Sequence, residues 1–245
     1  MTLASCWPAS AVMGAEVIYV KLLVDEEERT IPQAWQARLQ SRLDAASQII
    51  NEYANVHFVA ECFDTWQSDN RLTDLGRTLA EFEHEVDPHP AQIAIGFSSQ
   101  YRFTRGINGL GGTRGPLRRH ILLRESSPNT REPERLEALV HELGHFLGAA
   151  HSGNGLSVMR PVIGDGLARR PGYHISFDPH NAKIIQWVGT EVSTLGVRRY
   201  DQLSHRTMQR MLAEYEQLDR ELPKDPAAKY FIKMIRTRLQ ATSRK

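Results

Sequence analysis

Residues 141–151 have the sequence HELGHFLGAAH, and this stretch decides the predicted fold. On a helix, His141 and His145 lie one turn apart and project from the same face. That spacing lets two imidazoles bind one metal ion, and it leaves Glu142 beside them within reach of a metal-activated water. The stretch therefore predicts a helix that carries two metal ligands and a catalytic carboxylate.

The remainder of the same stretch predicts a third ligand. Gly148 is expected to end the helix, because glycine enters the left-handed conformation that a sharp exit requires. The turn then returns His151 to the same metal. Three neutral imidazoles with an open fourth position are typical of catalytic zinc, whereas structural zinc sites usually have four protein ligands. Three unrelated surface histidines are the alternative, and the fixed spacing disfavours it.

A methionine follows the third histidine at a short distance. Met159 lies in the sequence SVMRP (residues 157–161), after a loop rich in Gly, Asn and Ser. A lone methionine is more often core filler. Together with the extended pattern HExxHxxGxxH, however, this arrangement resembles the metzincin metalloproteases, in which a methionine turn lies beneath the zinc site. The resemblance implies that Met159 forms that turn.

The resemblance implies a function as well as a fold. It implies one catalytic Zn²⁺ held by His141, His145 and His151, and a zinc-dependent endopeptidase that hydrolyses peptide bonds with Glu142 as general base. The expected partner is a protein or peptide substrate that lies extended along an edge strand near residues 106–115. Two alternatives stay open: a zinc peptidase restricted to short peptides or chain ends, and a non-catalytic zinc-stabilised binding module.

The subfamily is open on the sequence alone. The sequence TLAEF at residues 78–82 is similar to the adamalysin/reprolysin-like branch, whereas VMRP at residues 158–161 is closer to the matrix metalloproteinases. The position two residues after Met159 is Pro161. The tyrosine that astacins and serralysins carry at that position is therefore absent.

Periodicity along the chain predicts strands and helices of an α+β fold, and the order of these elements resembles the metzincin catalytic domain. The expected elements are strands at residues 16–24, 56–63, 91–97 and 119–124, an irregular edge strand among the glycines at 106–115, and helices at 32–53, 74–86 and 179–188. Asn129 or Thr130 is expected to cap the zinc-binding helix, with Pro133 in its first turn. The resemblance implies that about five strands form a mixed, twisted sheet.

Three regions are expected along the chain. Residues 1–15 form an N-terminal segment, residues 16–195 the metzincin-like catalytic domain, and residues 196–245 a C-terminal helical appendage with helices at 203–222 and 225–239. The appendage falls outside the resemblance, and either docks on the catalytic domain or begins a further module. A chain ending near Thr194 is expected to fold, bind zinc and cleave short peptides.

Composition limits the partners. Of 245 residues, 41% are hydrophobic and 24% charged, which suits a globular protein with a sizeable core. The formal net charge of +1 gives no reason to expect a nucleic-acid partner. No apolar run approaches the roughly 20 residues of a transmembrane segment. The oligomeric state is not indicated.

The N-terminus has partial features of an export signal. Residues 9–11 (ASA) have the form of a signal-peptidase site and residues 3–6 (LASC) that of a lipoprotein box, but a basic region and a full apolar region are missing. A start assigned too far downstream would explain this, which favours a secreted or periplasmic location slightly over a cytoplasmic one. Cys6 and Cys62, the two cysteines, either pair or remain independent thiols.

Overall fold

The computed structural model describes residues 16–100, 110–125 and 130–242. Several sequence expectations concern residues outside these ranges: the N-terminal segment with Cys6, most of the glycine-rich stretch at 101–109, and the helix cap at Asn129. Cys62 is a free, half-buried cysteine.

The described residues form one five-stranded mixed sheet. Its strands are β1 (Glu16–Asp25), β2 (Val56–Trp66), β3 (Ile93–Ser98), β4 (Gly111–Thr113) and β5 (His120–Arg124). The order is β2-β1-β3-β5-β4; all neighbours are parallel except β4, which pairs antiparallel with β5. Within the expected edge strand at 106–115, the structure describes the strand β4. With the helices, the sheet confirms the predicted α+β class.

Helices pack on both faces of the sheet. They are α1 (Pro32–Ala54), α2 (Leu75–Glu85), α3 (Glu132–Phe146), α4 (Pro179–Leu195), α5 (His205–Glu221) and α6 (Pro226–Thr242). The main core lies on the face covered by α1, α3 and α4. Helix α2 covers the other face of the sheet, and a smaller core lies between them. Helix α3, which contains HELGH, contacts α1 on one side and strands β4 and β5 of the sheet.

Two predicted helix boundaries are wrong. Thr130 does not cap α3; Arg131 precedes the helix, and its backbone N–H donates to Glu134 Oε2 at 2.8 Å. Helix α4 continues seven residues beyond the expected end at residue 188, to Leu195. The helix passes through Gly189, and this glycine permits close contact with α1. A Cβ at Gly189 would lie 2.3 Å from Ala54 O.

The C-terminal helices share the main core. α5 packs against α4, and α6 packs against α5. Their apolar stripes belong to the same buried cluster as the sheet: Met208, Met211, Tyr215, Leu218, Phe231 and Ile235. The core of the described residues therefore continues across position 195. That residues 16–195 form a separable domain stays a prediction. Among the described residues, no helix has the length and apolarity needed to cross a membrane.

Candidate metal centre

Three imidazoles converge at the end of α3. The ring centroids of His141 and His145 are 4.6 Å apart, and their Nε2 atoms approach to 3.0 Å. The ring of His151 lies 5.5 Å from the first ring and 5.1 Å from the second. One candidate ligand atom from each residue lies within 4.8 Å of the others. Tetrahedral zinc with Zn–N bonds of 2.0–2.1 Å separates its ligand atoms by about 3.3 Å, so the group has suitable dimensions.

A glycine turn returns the chain to the centre. Helix α3 ends at Phe146, and Gly148 has φ of 92°, the left-handed conformation expected from the sequence. The next turn is held by Asn181 of α4, whose side chain accepts from the N–H of Ala150 at 2.8 Å and donates to its carbonyl at 2.9 Å. This double hydrogen bond fixes the residue immediately before His151.

Backbone carbonyls orient the two helical histidines. His141 Nδ1 lies 2.7 Å from Val158 O, and His145 Nδ1 lies 2.8 Å from Ala149 O. A carbonyl oxygen can only accept, so each Nδ1 must carry the hydrogen. The lone pair of each Nε2 therefore faces the point where the rings converge. That is the tautomer that a metal-binding histidine needs.

A carboxylate lies within hydrogen-bond distance of the third histidine. His151 Nδ1 lies 2.8 Å from Asp225 Oδ2. Asp225 lies between α5 and α6, 74 residues after His151 in the sequence. The carboxylate accepts from Nδ1, so in the neutral form of the ring Nε2 of His151 carries the lone pair, as in the other two rings.

Burial keeps the helical imidazoles neutral. It lowers the pKa of His141 to about 3, although the hydrogen bond to Val158 acts in the opposite direction. Burial also holds the pKa of His145 well below its ordinary value, and the neighbouring histidines add to that effect. Metal ligands must be deprotonated, so both rings are in the binding form at neutral pH.

Glu142 is a buried carboxylate beside the three rings. Its side chain is almost inaccessible, and burial raises its pKa to about 8. Within the part of the chain that the structure describes, Oε2 has no hydrogen-bond partner. Strand β4 passes directly against it: a Cβ built on Gly111 would lie 2.8 Å from Glu142 Cγ and 2.9 Å from its Oε1. A side chain at this position of β4 would require Glu142 or the strand to move.

Met159 lies beneath the helix. Its side chain is fully buried, and a Cβ on Gly144 of α3 would lie 2.9 Å from Met159 Sδ. Its carbonyl accepts from the N–H of Ser152 at 2.8 Å. The preceding residue, Val158, supplies the carbonyl that orients His141. The segment around Met159 thus supports the helix and one of its histidines together.

Sequence reasoning missed Asp225 and Gly111. The pair Asp225-Pro226 signals the start of a helix, and it carries no indication of a contact 74 residues back. Gly111 is one of several glycines in its stretch, and nothing in the sequence separates it from Gly112. Both roles depend on long-range packing.

Comparisons with known proteins give distant likenesses of fold. No family model matches the sequence, and no curated protein matches it. The chain is similar to the crystal structure of archaemetzincin from Methanopyrus kandleri, with 17% identity and a TM-score of 0.49 over 72% of this chain and 97% of that one. It is also similar to a chaperone–substrate complex, with 14% identity and a TM-score of 0.48 over 74% of this chain and 35% of that one. Neither likeness favours the adamalysin/reprolysin-like or the matrix-metalloproteinase-like branch.

Proposed function

We propose that this chain is a zinc-dependent endopeptidase, with His141, His145 and His151 as zinc ligands and Glu142 as general base. The observation that carries the proposal is the convergence of three Nε2 lone pairs, each fixed by a hydrogen bond at Nδ1, beside a buried carboxylate. A surface cluster of histidines has no need of three such partners.

The donor set fits catalytic zinc. Three nitrogens suit zinc, and the described residues add no fourth histidine, cysteine or carboxylate to the group. Structural zinc usually has four protein ligands, so this set leaves a position for the reacting groups. When bound, zinc supplies a Lewis acid that polarises the scissile carbonyl and makes water acidic enough to react near neutral pH.

Glu142 transfers the proton that the attacking water loses. Glu142 accepts it at a carboxylate oxygen from the attacking water and delivers it to the nitrogen of the departing amine. Its burial raises its proton affinity towards the working pH, which suits a group that must both accept and return a proton. The absence of a side chain at Gly111 lets the carboxylate lie against β4.

Strand β4 is the proposed binding edge for substrate. It is the last strand of the described sheet and pairs with β5 on one side. An extended peptide that pairs with its outer edge would lie beside Glu142. Backbone pairing is insensitive to side chains, so it favours peptides as a class over small molecules.

A Glu142→Gln variant tests the proposal. Hydrolysis of casein and of a peptide library is expected to fall at least roughly a hundredfold, because the amide cannot act as a base. Zinc content is expected to stay near one ion per chain, since Glu142 is not a ligand. Glu52→Gln, at an exposed glutamate of α1, is the control. Parent protein that binds zinc but hydrolyses no peptide would instead support the non-catalytic module.

One observation favours a second candidate, a peptidase restricted to short peptides. The C-terminal helices contact chain segments near the centre: a Cβ on Gly115 would lie 3.1 Å from Phe231, and one on Gly153 would lie 3.3 Å from Glu221 O. Helices in these positions would limit the length of a bound chain. A series of peptides of increasing length separates the candidates, since the restricted enzyme would lose turnover as the peptide grows.

A further inference from the structure

The C-terminal helices reach the metal centre through one carboxylate. Asp225 Oδ2 accepts a hydrogen bond from His151 Nδ1 at 2.8 Å. We propose that Asp225 is a positioning residue, which fixes the ring orientation and tautomer of the third zinc ligand, so that the C-terminal helical pair is part of the metal centre. The inference rests on the proposed function, because it gives His151 the role of ligand.

Asp225 is itself held in place. Its Oδ1 accepts from the N–H of Ala227 at 2.8 Å, as α6 begins, and its own N–H donates to Leu222 O at 3.0 Å. The side chain is 15% exposed. One oxygen therefore starts the helix while the other faces His151, which leaves the carboxylate little freedom to rotate.

His151 needs an external partner more than the other two rings. His141 and His145 are on a buried helix and donate to carbonyls that the backbone fixes. His151 follows a glycine turn, and its side chain is 24% exposed. A charged acceptor makes a stronger hydrogen bond than a carbonyl, and a carboxylate on the far nitrogen makes the imidazole a better ligand.

The same helices support the turn that carries His151. The Tyr215 hydroxyl of α5 donates to the carbonyl of Gly148. Met211, one turn earlier on α5, packs so closely that a Cβ on Gly148 would lie 3.0 Å from its Cε. The contact at Asp225 is therefore one of several between α5–α6 and this turn.

The geometry separates this positioning role from two other roles, that of a direct zinc ligand and that of a helix cap alone. Asp225 bonds to Nδ1, and Nε2 lies on the opposite side of the ring, so the carboxylate is placed as the partner of a ligand. A helix cap alone would need Oδ1 and would not need Oδ2 to face an imidazole.

Two variants of the full chain test the positioning role. Asn caps helices about as well as Asp, and Ser also caps but is too short to reach His151. We expect Asp225→Asn and Asp225→Ser to weaken zinc binding about 10- to 100-fold, measured by competition with a chromophoric chelator. Asp74→Asn, at the cap of α2, is the matched control, and its zinc affinity is expected to equal that of the parent.

A second readout requires no zinc. In metal-free protein, ¹⁵N NMR of the histidines is expected to show His151 protonated at Nδ1 in the parent, and to lose that preference in both variants. Parent-like zinc affinity together with a parent-like tautomer would overturn the positioning role while leaving the zinc site intact. A parent that binds no zinc would overturn the proposed function and this inference with it.

Discussion

Replacing Gly111 by alanine tests how β4 and the general base depend on each other. An added Cβ would lie 2.8 Å from Glu142 Cγ, 2.9 Å from its Oε1 and 2.9 Å from Leu123 Cδ2. These separations are well below ordinary carbon contacts of 3.5–4.0 Å. Glu142 is buried on all sides, so the strain is relieved by moving either the carboxylate or the strand.

The size of the effect follows from the cost of overpacking. An extra methyl group in a packed site costs about 1–3 kcal/mol. If that strain appears in the transition state, kcat/KM falls about 5- to 150-fold, since about 1.4 kcal/mol corresponds to a factor of ten. The upper end approaches the complete loss of a general base. Zinc content is expected to stay unchanged, because the methyl group meets no histidine among its nearest neighbours.

The neighbouring glycine provides a matched control. Among the described residues, a Cβ on Gly112 would meet Leu79 at 3.8 Å and Leu75 at 3.9 Å, which are ordinary contacts. We therefore expect Gly112→Ala to keep parent-like turnover. The assay is steady-state hydrolysis of one fluorogenic peptide by the parent and both variants, with zinc content and thermal unfolding measured on the same samples. A Gly111→Ala enzyme as fast as the parent would refute the placement of Glu142 against β4.

Three further predictions follow from the site and its support. His151→Ala is expected to lower zinc affinity and abolish most turnover, because two protein ligands remain; unchanged zinc content by elemental analysis would place the third ligand elsewhere. Ending the chain after Thr194 removes the buried Tyr215 and Met211, so the shortened chain is expected to lose at least about 3 kcal/mol of its free energy of unfolding in urea; full stability would support a separable domain. For chelated protein, the pKa of His141, lowered to about 3, means that the unfolded chain binds a proton there below pH 6.5 and the folded chain does not. The contribution of His141 to the free energy of unfolding is therefore full above pH 6.5 and falls by up to about 1.4 kcal/mol per pH unit as the pH drops below that value. A His141→Asn variant is expected to lose less stability on acidification than the parent, and an equal pH slope in the two proteins would contradict this.

Local spacing made much of the centre predictable. His141 and His145 share a face because a helix repeats every 3.6 residues, and Gly148 signals its own turn. The strands could be predicted equally well, because the apolar residues of each strand lie together in the sequence. These features depend on neighbours within a few positions.

The missed features depend on residues far apart in sequence. Helix α4 continues through Gly189, where the missing side chain leaves room for Ala54 of α1, and the sequence near Gly189 gives no sign of that contact. From the sequence, Asp225 would be interpreted as an ordinary N-terminal cap of α6. The packing of α5 and α6 brings it to His151. The prediction of Thr130 as a cap used residue type alone, whereas the chain uses the backbone of Arg131 and the side chain of Glu134.

The central claim is that His141, His145 and His151 hold one zinc ion with a position left open. Anomalous diffraction from crystals of the full chain, recorded on both sides of the zinc absorption edge, tests it most directly. We expect one strong peak about 2.0–2.1 Å from three Nε2 atoms, with the fourth position occupied by solvent or substrate. A peak at other residues, or a fourth protein ligand that closes the site, would contradict the account.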